Sequence, residues 1–338
     1  MKTNYRLNKH RKKNNIVIRR VASGNVSTKN SGKPAYIAII VLIIAFLLFF
    51  FINDRFLKID GIPTWDDLYH SAGLSSSITA VEGDVSVHFI DVGQGDCELI
   101  KTKNKAVLID CGEKEYYADV IEYIRSQNIE YIDYVIVTHP HSDHAGGMSF
   151  ILDEFDIGTV ILPKIQESVI PTTSTYIRLL KSIDNKKISV EYAAPGKEYV
   201  LDDVTMTLLS PVKDYNDLNN YSVAAKIVHG ENSFLFTGDI EKEAESDIME
   251  KGYNISADVL KVAHHGSSTS SQKSFIHAVS PKYAVIEVGA PNSYNHPNKE
   301  TVQRLENKGA VIYRTDLYGN IVFVSDGNTL NILTEKEP

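Results

Sequence analysis

Cysteine is nearly absent: two occur in 338 residues, beside a single tryptophan and four methionines. So small a supply excludes a disulfide scaffold. The sequence also lacks a phosphate-cradling P-loop and any Ser/His/Asp signature, and it has no internal repeat or low-complexity segment. With 43% hydrophobic and 23% charged residues, a disordered or collagen-like chain is excluded, and there is room for one large domain or two. Acid is missing from one end only. Residues 1–34 carry ten Lys/Arg and no Asp or Glu, which leaves 25 basic against 43 acidic residues, a net of −18, for the remainder. A body this acidic has no overall basic face with which to gather nucleic acid by counterion release. Contact with DNA there requires a local basic groove or a bound metal.

One long uncharged run stands out. From Ala35 to Ile52 the sequence AYIAIIVLIIAFLLFFFI holds 18 residues without a charge, enough at ~1.5 Å per residue to cross ~30 Å of hydrocarbon. It is apolar all round, longer than the ~7–15 residues of a signal-peptide core, and it ends without a small-x-small cleavage site. It reads as one uncleaved transmembrane helix. The basic tail, residues 1–34, then stays in the cytoplasm by the positive-inside bias, where its charge suits anionic lipid. The expectation is a single-pass protein of the cell membrane with everything after the span outside. Residues 53–84, with Thr64-x-x-Asp67 and the run Ser75-Ser76-Ser77, read as a juxtamembrane linker. Residues 85–334 read as the folded domain.

Within that domain short apolar runs alternate with helical patterns. VSVHFID, CELIK and AVLID come first, then a helix-like EYYADVIEYIRSQ and the run YVIVT. MTLLS, AAKIV, FLFTG, ADVLKVA, YAVIEVG and VIYRT follow, with helices predicted over 241–250, 271–278 and 299–308. The short KTKNK connection predicts an antiparallel hairpin, so the sheet is not purely parallel. Two sheets with helices outside fit best. The stretch 163–202, with weak periodicity and three prolines, reads as a variable lobe beside the site. Cys97 and Cys111 face each other if the hairpin pairs residue i with 208 minus i, and do not if it pairs with 207 minus i.

The chemistry concentrates after YVIVT. Thr138-His139-Pro140-His141-Ser142-Asp143-His144-Ala145-Gly146-Gly147 places three imidazoles and a carboxylate within six residues, on a loop leaving a strand. Such a cluster can hold two adjacent divalent cations, His139 and His141 on one, Asp143 and His144 turned toward the other. Further on, Asp239 ends the apolar run FLFTG and His264-His265 end VLKVA, so all three lie at strand ends where a site can be assembled. Strand periodicity points neighbouring side chains oppositely, which favours one of the His pair, and His265 slightly, as a ligand. His296, in NSYNHP, is a candidate proton donor to a leaving group or a phosphate contact.

The phrase His-x-His-x-Asp-His resembles the motif of the metallo-β-lactamase fold superfamily, an α/β protein of the αββα sandwich type. More narrowly, FIDVGQGDCELI, LIDCG, THPHSDHAGG, NNYSVAAKI, FLFTGDIEKEAE, LKVAHHGSSTS, NSYNHP and YRTDLYGNI resemble, in order, the extracellular metallo-β-lactamase-like domain of the ComEC family of competence proteins. That resemblance implies that Asp239 bridges the metals, that a His of His264-His265 completes the second site, and that Asp110 orients ligand histidines from behind. It implies too that the GQGD loop lies beside the site. Asn220 and Ser222 stand where other superfamily members have a further ligand histidine, which leaves the first metal with open positions. His and carboxylate ligands without thiolate suit zinc or manganese, as one or two ions.

The reaction these residues imply is hydrolysis by a metal-activated water, without a covalent intermediate. The resembled family is regarded as a nuclease, so the expected substrate is single-stranded DNA. The acidic body leans instead toward a phosphodiester polymer of the cell wall, cut as by a phosphorylcholine esterase. ComEC proteins add a polytopic channel and an oligonucleotide-binding-like domain, so this chain, with one span, is expected to be a membrane-tethered hydrolase rather than a DNA channel. A catalytically weak, metal-stabilised binding module is the competing class.

Overall fold

The computed structural model describes residues 84–337, together with residues 39–41, 46 and 49, which are helical. The basic tail, the rest of the span at 35–52 and the linker to residue 83 lie outside the described residues. No helix among the described residues is long and apolar enough to cross a membrane. The chain divides into two units, residues 1–75 and 76–338, and the second carries both sheets.

The first half of this unit runs β1 (Val85–Phe89), β2 (Glu98–Lys101), β3 (Ala106–Ile109), α1 (Tyr117–Ser126), β4 (Tyr131–Ile136), α2 (Ser142–Ala145), α3 (Met148–Glu154), β5 (Asp156–Leu162), α4 (Ser174–Lys186) and β6 (Ser189–Tyr192). The second runs β7 (Glu198–Leu201), β8 (Val204–Leu208), β9 (Ala225–His229), β10 (Asn232–Phe236), α5 (Lys242–Glu250), β11 (Val259–Lys261), α6 (Lys273–Val279), β12 (Tyr283–Ile286), α7 (Lys299–Lys308), β13 (Val311–Arg314) and α8 (Thr315–Tyr318). It closes with β14 (Ile321–Ser325) and β15 (Leu330–Thr334). One sheet has the order β15-β14-β1-β2-β3-β4-β5-β6 and the other β13-β12-β11-β10-β9-β8-β7. Each is antiparallel in one part and parallel in the other, with helices on the crossovers of the parallel part.

Period-two alternation decides which side chains go where. Val85, Val87 and Phe89 of β1 point between the sheets and pack on Met206 and Leu208 of β8 and on Phe234 and Phe236 of β10. On the far face of the first sheet Leu99, Leu108 and Val135 meet Val120 and Ile124 of α1, Ile151 of α3 and Leu179 of α4. On the far face of the second, Leu235, Leu260 and Ala284 meet Ala244 and Ile248 of α5, Phe275 of α6 and Leu305 of α7. Each buried Val, Leu, Ile, Met or Phe among them contributes ~1.5–3 kcal/mol of transfer free energy. The result is the expected αββα sandwich.

Three details differ from, or complete, the sequence reading. The stretch 163–202 is built structure rather than an irregular lobe: α4 starts at the cap Thr173, which accepts from the Tyr176 N–H, and β6 and β7 are edge strands of the two sheets. Strands β5, β14 and β15 were not anticipated. The β2–β3 hairpin pairs Glu98 with Ile109 and Leu99 with Leu108, the register in which residue i meets 207 minus i, and Cys97 and Cys111 are buried free thiols.

Candidate metal centre

The site lies where strands from both sheets end. β4 runs out at Ile136 and delivers Thr138 and His139. The Asp110 carboxylate, just past β3, receives the Thr138 N–H (2.8 Å) and hydroxyl (2.5 Å), which fixes the start of the histidine loop. One helical turn, α2, follows His141 and turns His144 into the interior, fully buried. That turn is packed so closely that a Cβ on Gly146 would collide with the Ser142 carbonyl oxygen and with the backbone of Lys114.

Asp239 is the hub of the histidines. Its Oδ2 lies 3.3 Å from His144 Nε2, 3.9 Å from His139 Nε2, and 3.7 Å from Nε2 of both His264 and His265. His265 Nε2 is also 3.3 Å from Asp143 Oδ2. His139 Nε2 and His141 Nδ1 lie 2.9 Å apart. The far nitrogens are held from behind. His144 Nδ1 meets Asp110 Oδ2 at 2.7 Å and His265 Nδ1 meets the Glu287 carbonyl at 3.0 Å, as ligating imidazoles require. Neither His264 nor His265 lies on a strand. β11 stops at Lys261, and both histidines take left-handed backbone angles (φ 52° and 51°) in a tight turn, which brings both rings to Asp239. They differ in burial, since His265 is enclosed while the His264 side chain keeps 23% of its exposure.

Asp96, His144, Asp239 and His265 each offer one donor atom within 4.8 Å of the others. His144 Nε2, His265 Nε2 and Asp239 Oδ1 are buried and have no hydrogen-bond partner. Leaving each such atom unsatisfied costs ~1–3 kcal/mol. A divalent cation held by these two imidazoles and the Asp239 carboxylate would give these atoms a partner, so the residues fit the metal centre that the sequence implies.

Charge gives the same answer. Burial alone would lower the imidazole of His144 and of His265, but Asp239 and Asp96 facing them raise His144 well above its ordinary value and His265 to about 10. Burial would raise Asp143 and Asp239, and His144 instead holds both carboxyls below the usual range. This pocket of buried carboxylates demands positive charge, which protons or a metal can supply.

A cleft of about 310 Å³ opens onto these groups and is lined by Gln94, His141, Ser142, Asp143, Asn219, Asp239, His264, His265, Tyr294 and His296. His296 sits edge-on to His264, ring centroids 5.5 Å apart, on a loop held by Asn292, whose amide donates to the Gly289 and His296 carbonyls. Partial burial, then the neighbouring His265 and His264, push His296 down to about 4, which favours its neutral imidazole.

Not every residue singled out from the sequence reaches the cleft. Ser222 does its work behind it: its Oγ lies 3.2 Å from His139 Nδ1 and accepts the Asp239 N–H at 3.0 Å. Asn220 instead accepts the N–H groups of Glu241 and Ala244 at the start of α5. Nothing from 163–202 lines the cleft. Within the phrase YRTDLYGNI, Thr315 bonds the Val288 backbone and Asp316 pairs with the Arg314 guanidinium.

Sequence reasoning named the GQGD loop but missed what it carries. Asp96 is fully buried against His144, His265 and Lys261, and Glu98, Lys261 and Glu287 are buried beside it. The available signal was an ionisable residue in the middle of an apolar run, in CELI, VLKVA and AVIEVG.

Residues 90–289 match the Metallo-beta-lactamase superfamily. The chain is 31% identical to ComE operon protein 3 of Bacillus subtilis over 72% of this chain and 33% of that protein. It is 29% identical to Competence protein ComA of Neisseria gonorrhoeae over 78% of this chain and 36% of that one. With Recombination protein 2 of Haemophilus influenzae it shares 27% identity over 70% of this chain and 28% of that protein. The chain thus spans about a third of the length of these relatives.

Proposed function

The chain belongs to the metallo-β-lactamase superfamily, and on that premise we propose that it is a membrane-anchored, extracellular phosphodiesterase that cuts DNA with a metal-activated water. The observation that carries the hydrolase reading is the convergence of unpartnered His144 Nε2, His265 Nε2 and Asp239 Oδ1 below an open cleft. Its DNA-directed part is supported by the likeness to proteins named for competence and recombination. Anchoring through residues 35–52 is supported by their uncharged length alone.

His139 and His141 would hold one divalent ion, and Asp143, His144 and His265 a second, with Asp239 between them. The chemistry that zinc or manganese held by these residues would supply is activation of water and neutralisation of charge on phosphoryl oxygens. The chain's own contribution is orientation. Asp110 and the Glu287 carbonyl fix the rings of His144 and His265, and Ser222 holds the Asp239 backbone. Gln94, Asn219, Tyr294 and His296 line the cleft, and in this reading they would contact the substrate, His296 hydrogen-bonding a leaving oxygen.

The test is hydrolysis of single-stranded DNA by the full chain, stripped and then loaded with zinc or manganese, against an Asp143→Ala control. Cleavage that disappears in the control supports the reading. Metal uptake with no DNA cleavage under either ion removes it, and leaves a wall phosphodiester polymer or a metal-stabilised binding role. Protease digestion of the domain on intact cells tests the extracellular placement.

A further inference from the structure

Lys261 is fully buried, which is rare for lysine and costs several kcal/mol per ion unless the charge is paired. It ends β11, where Val259 packs in the core between the sheets and Leu260 packs outside under the helices. By the strand period Lys261 shares the side of Val259 and points between the sheets. Its ammonium donates to Asp96 Oδ2 at 2.5 Å and to the Val262 carbonyl at 3.3 Å, with Glu287 Oε2 at 4.0 Å. An apolar filling of the same volume would serve the fold as well as a buried ion pair. The fold alone therefore gives no reason for the pair, and its other contacts do.

Asp96 touches three of the residues that converge on the metal centre. Its Oδ1 is 3.2 Å from His265 Nδ1, its Oδ2 is 3.7 Å from His144 Nδ1, and its N–H donates to the Asp143 carbonyl at 3.1 Å. The His265 N–H is directed to the Glu287 carbonyl, so Asp96 Oδ1 acts on that ring as a neighbouring charge without a hydrogen bond of its own. Among the described residues Lys261 is the one lysine or arginine paired with Asp96.

We propose that Lys261 is a positioning residue for the metal centre, holding Asp96 so that the Asp143, His144 and His265 donors stand in ligating geometry before a cation arrives. This deepens the metal-site reading and rests on it. A preformed donor set binds a cation without first rearranging buried charge, and ligand supports of this kind are worth ~10–100-fold in metal affinity.

The test compares the full chain with Lys261→Met, Asp96→Asn and the double variant. Three quantities are measured: the Tm of the metal-free protein, zinc affinity by chelator competition, and the visible spectrum of the cobalt(II)-loaded protein. Each single variant should bind zinc at least tenfold more weakly and shift the cobalt bands. The double variant, with neither member of the Lys261–Asp96 ion pair left alone, should regain the Tm lost in Lys261→Met and keep the weak affinity and altered spectrum. Variants that lose Tm but keep wild-type affinity and spectrum overturn the inference, as does a double variant that recovers affinity along with Tm. If Lys261→Met does not fold, Asp96→Asn decides by the same two metal readouts. Failure of the wild-type chain to take up zinc or cobalt overturns the metal-site reading and this inference together. Normal uptake by the wild type and every variant overturns the inference alone.

Discussion

His144 and Asp110 meet at 2.7 Å, ring nitrogen to carboxylate oxygen, with both side chains fully buried. That contact directs the other His144 nitrogen at Asp239, 3.3 Å away. Asp110→Asn keeps the shape and removes the charge-assisted bond. Zinc affinity should fall ~10–100-fold, the range for such supports. A competition titration with a chromophoric chelator measures it, and wild-type affinity in the variant would show that Asp110 only anchors Thr138.

His264 and His265 stand equally far from Asp239, 3.7 Å, but differ in burial and in alternatives. His265 Nε2 has no hydrogen-bond partner, whereas His264 Nδ1 already lies 3.5 Å from Glu241 Oε1. His265→Ala should abolish stoichiometric zinc binding, and His264→Ala should weaken it by less than tenfold. Equal losses in equilibrium dialysis would make His264 a ligand of the same rank.

Gly95 takes φ +155°, and a Cβ there would collide with the Asp143 carbonyl oxygen. Gly95→Ala should therefore lower stability by about 1–3 kcal/mol and weaken metal binding, because Asp143 must move. Gly252→Ala is the control: its φ is +74° but nothing lies within 4 Å of the added atom. Urea unfolding should show the control losing only ~1 kcal/mol, with metal affinity intact. Comparable losses in the two variants would remove the steric argument.

His88 is bonded to Tyr123 and Ser86 away from the metal centre, and burial, then the Lys101 charge, lower its pKa to about 3. The unfolded chain therefore binds a proton that the folded one refuses between about 6.5 and about 3. Stability contributed by the neutral ring is complete above pH 6.5 and falls as the pH drops through that window. Between pH 6.5 and pH 5 the loss is on the order of 2 kcal/mol. Urea unfolding of His88→Gln at the two pH values should lack this component, and a variant with the wild-type slope would assign the loss to other groups.

Much of the sandwich was legible because its strands alternate cleanly: Val85, Val87 and Phe89 announce one face, and the KTKNK turn announces the hairpin. Helix α4 was not, because its buried face is narrow, only Leu179, Ser182 and Ile183, and prolines nearby resemble loop punctuation. Strand β15 was missed for a related reason, since none of its residues is fully buried. The hairpin register stayed open because both pairings satisfy the same apolar runs, and only the packing of β2 between β1 and β3 chooses one.

The sequence by itself determined that imidazole and carboxylate donors cluster at one place, since His139, His141, Asp143 and His144 fall within six residues of chain. It also determined the layered fold, because side-chain period follows from backbone geometry. Only the tertiary structure decided which other groups join them. Asp96, Asp239, Lys261, His265 and Glu287 come from separate loops and strand ends, and their distances follow from how two twisted sheets pack. No rule of local spacing encodes that. The left-handed turn that sends both His264 and His265 toward Asp239 is set by long-range contacts as well: the His264 N–H donates to the Gly238 carbonyl at 3.1 Å and the Gly266 carbonyl accepts from Asn298 at 2.9 Å.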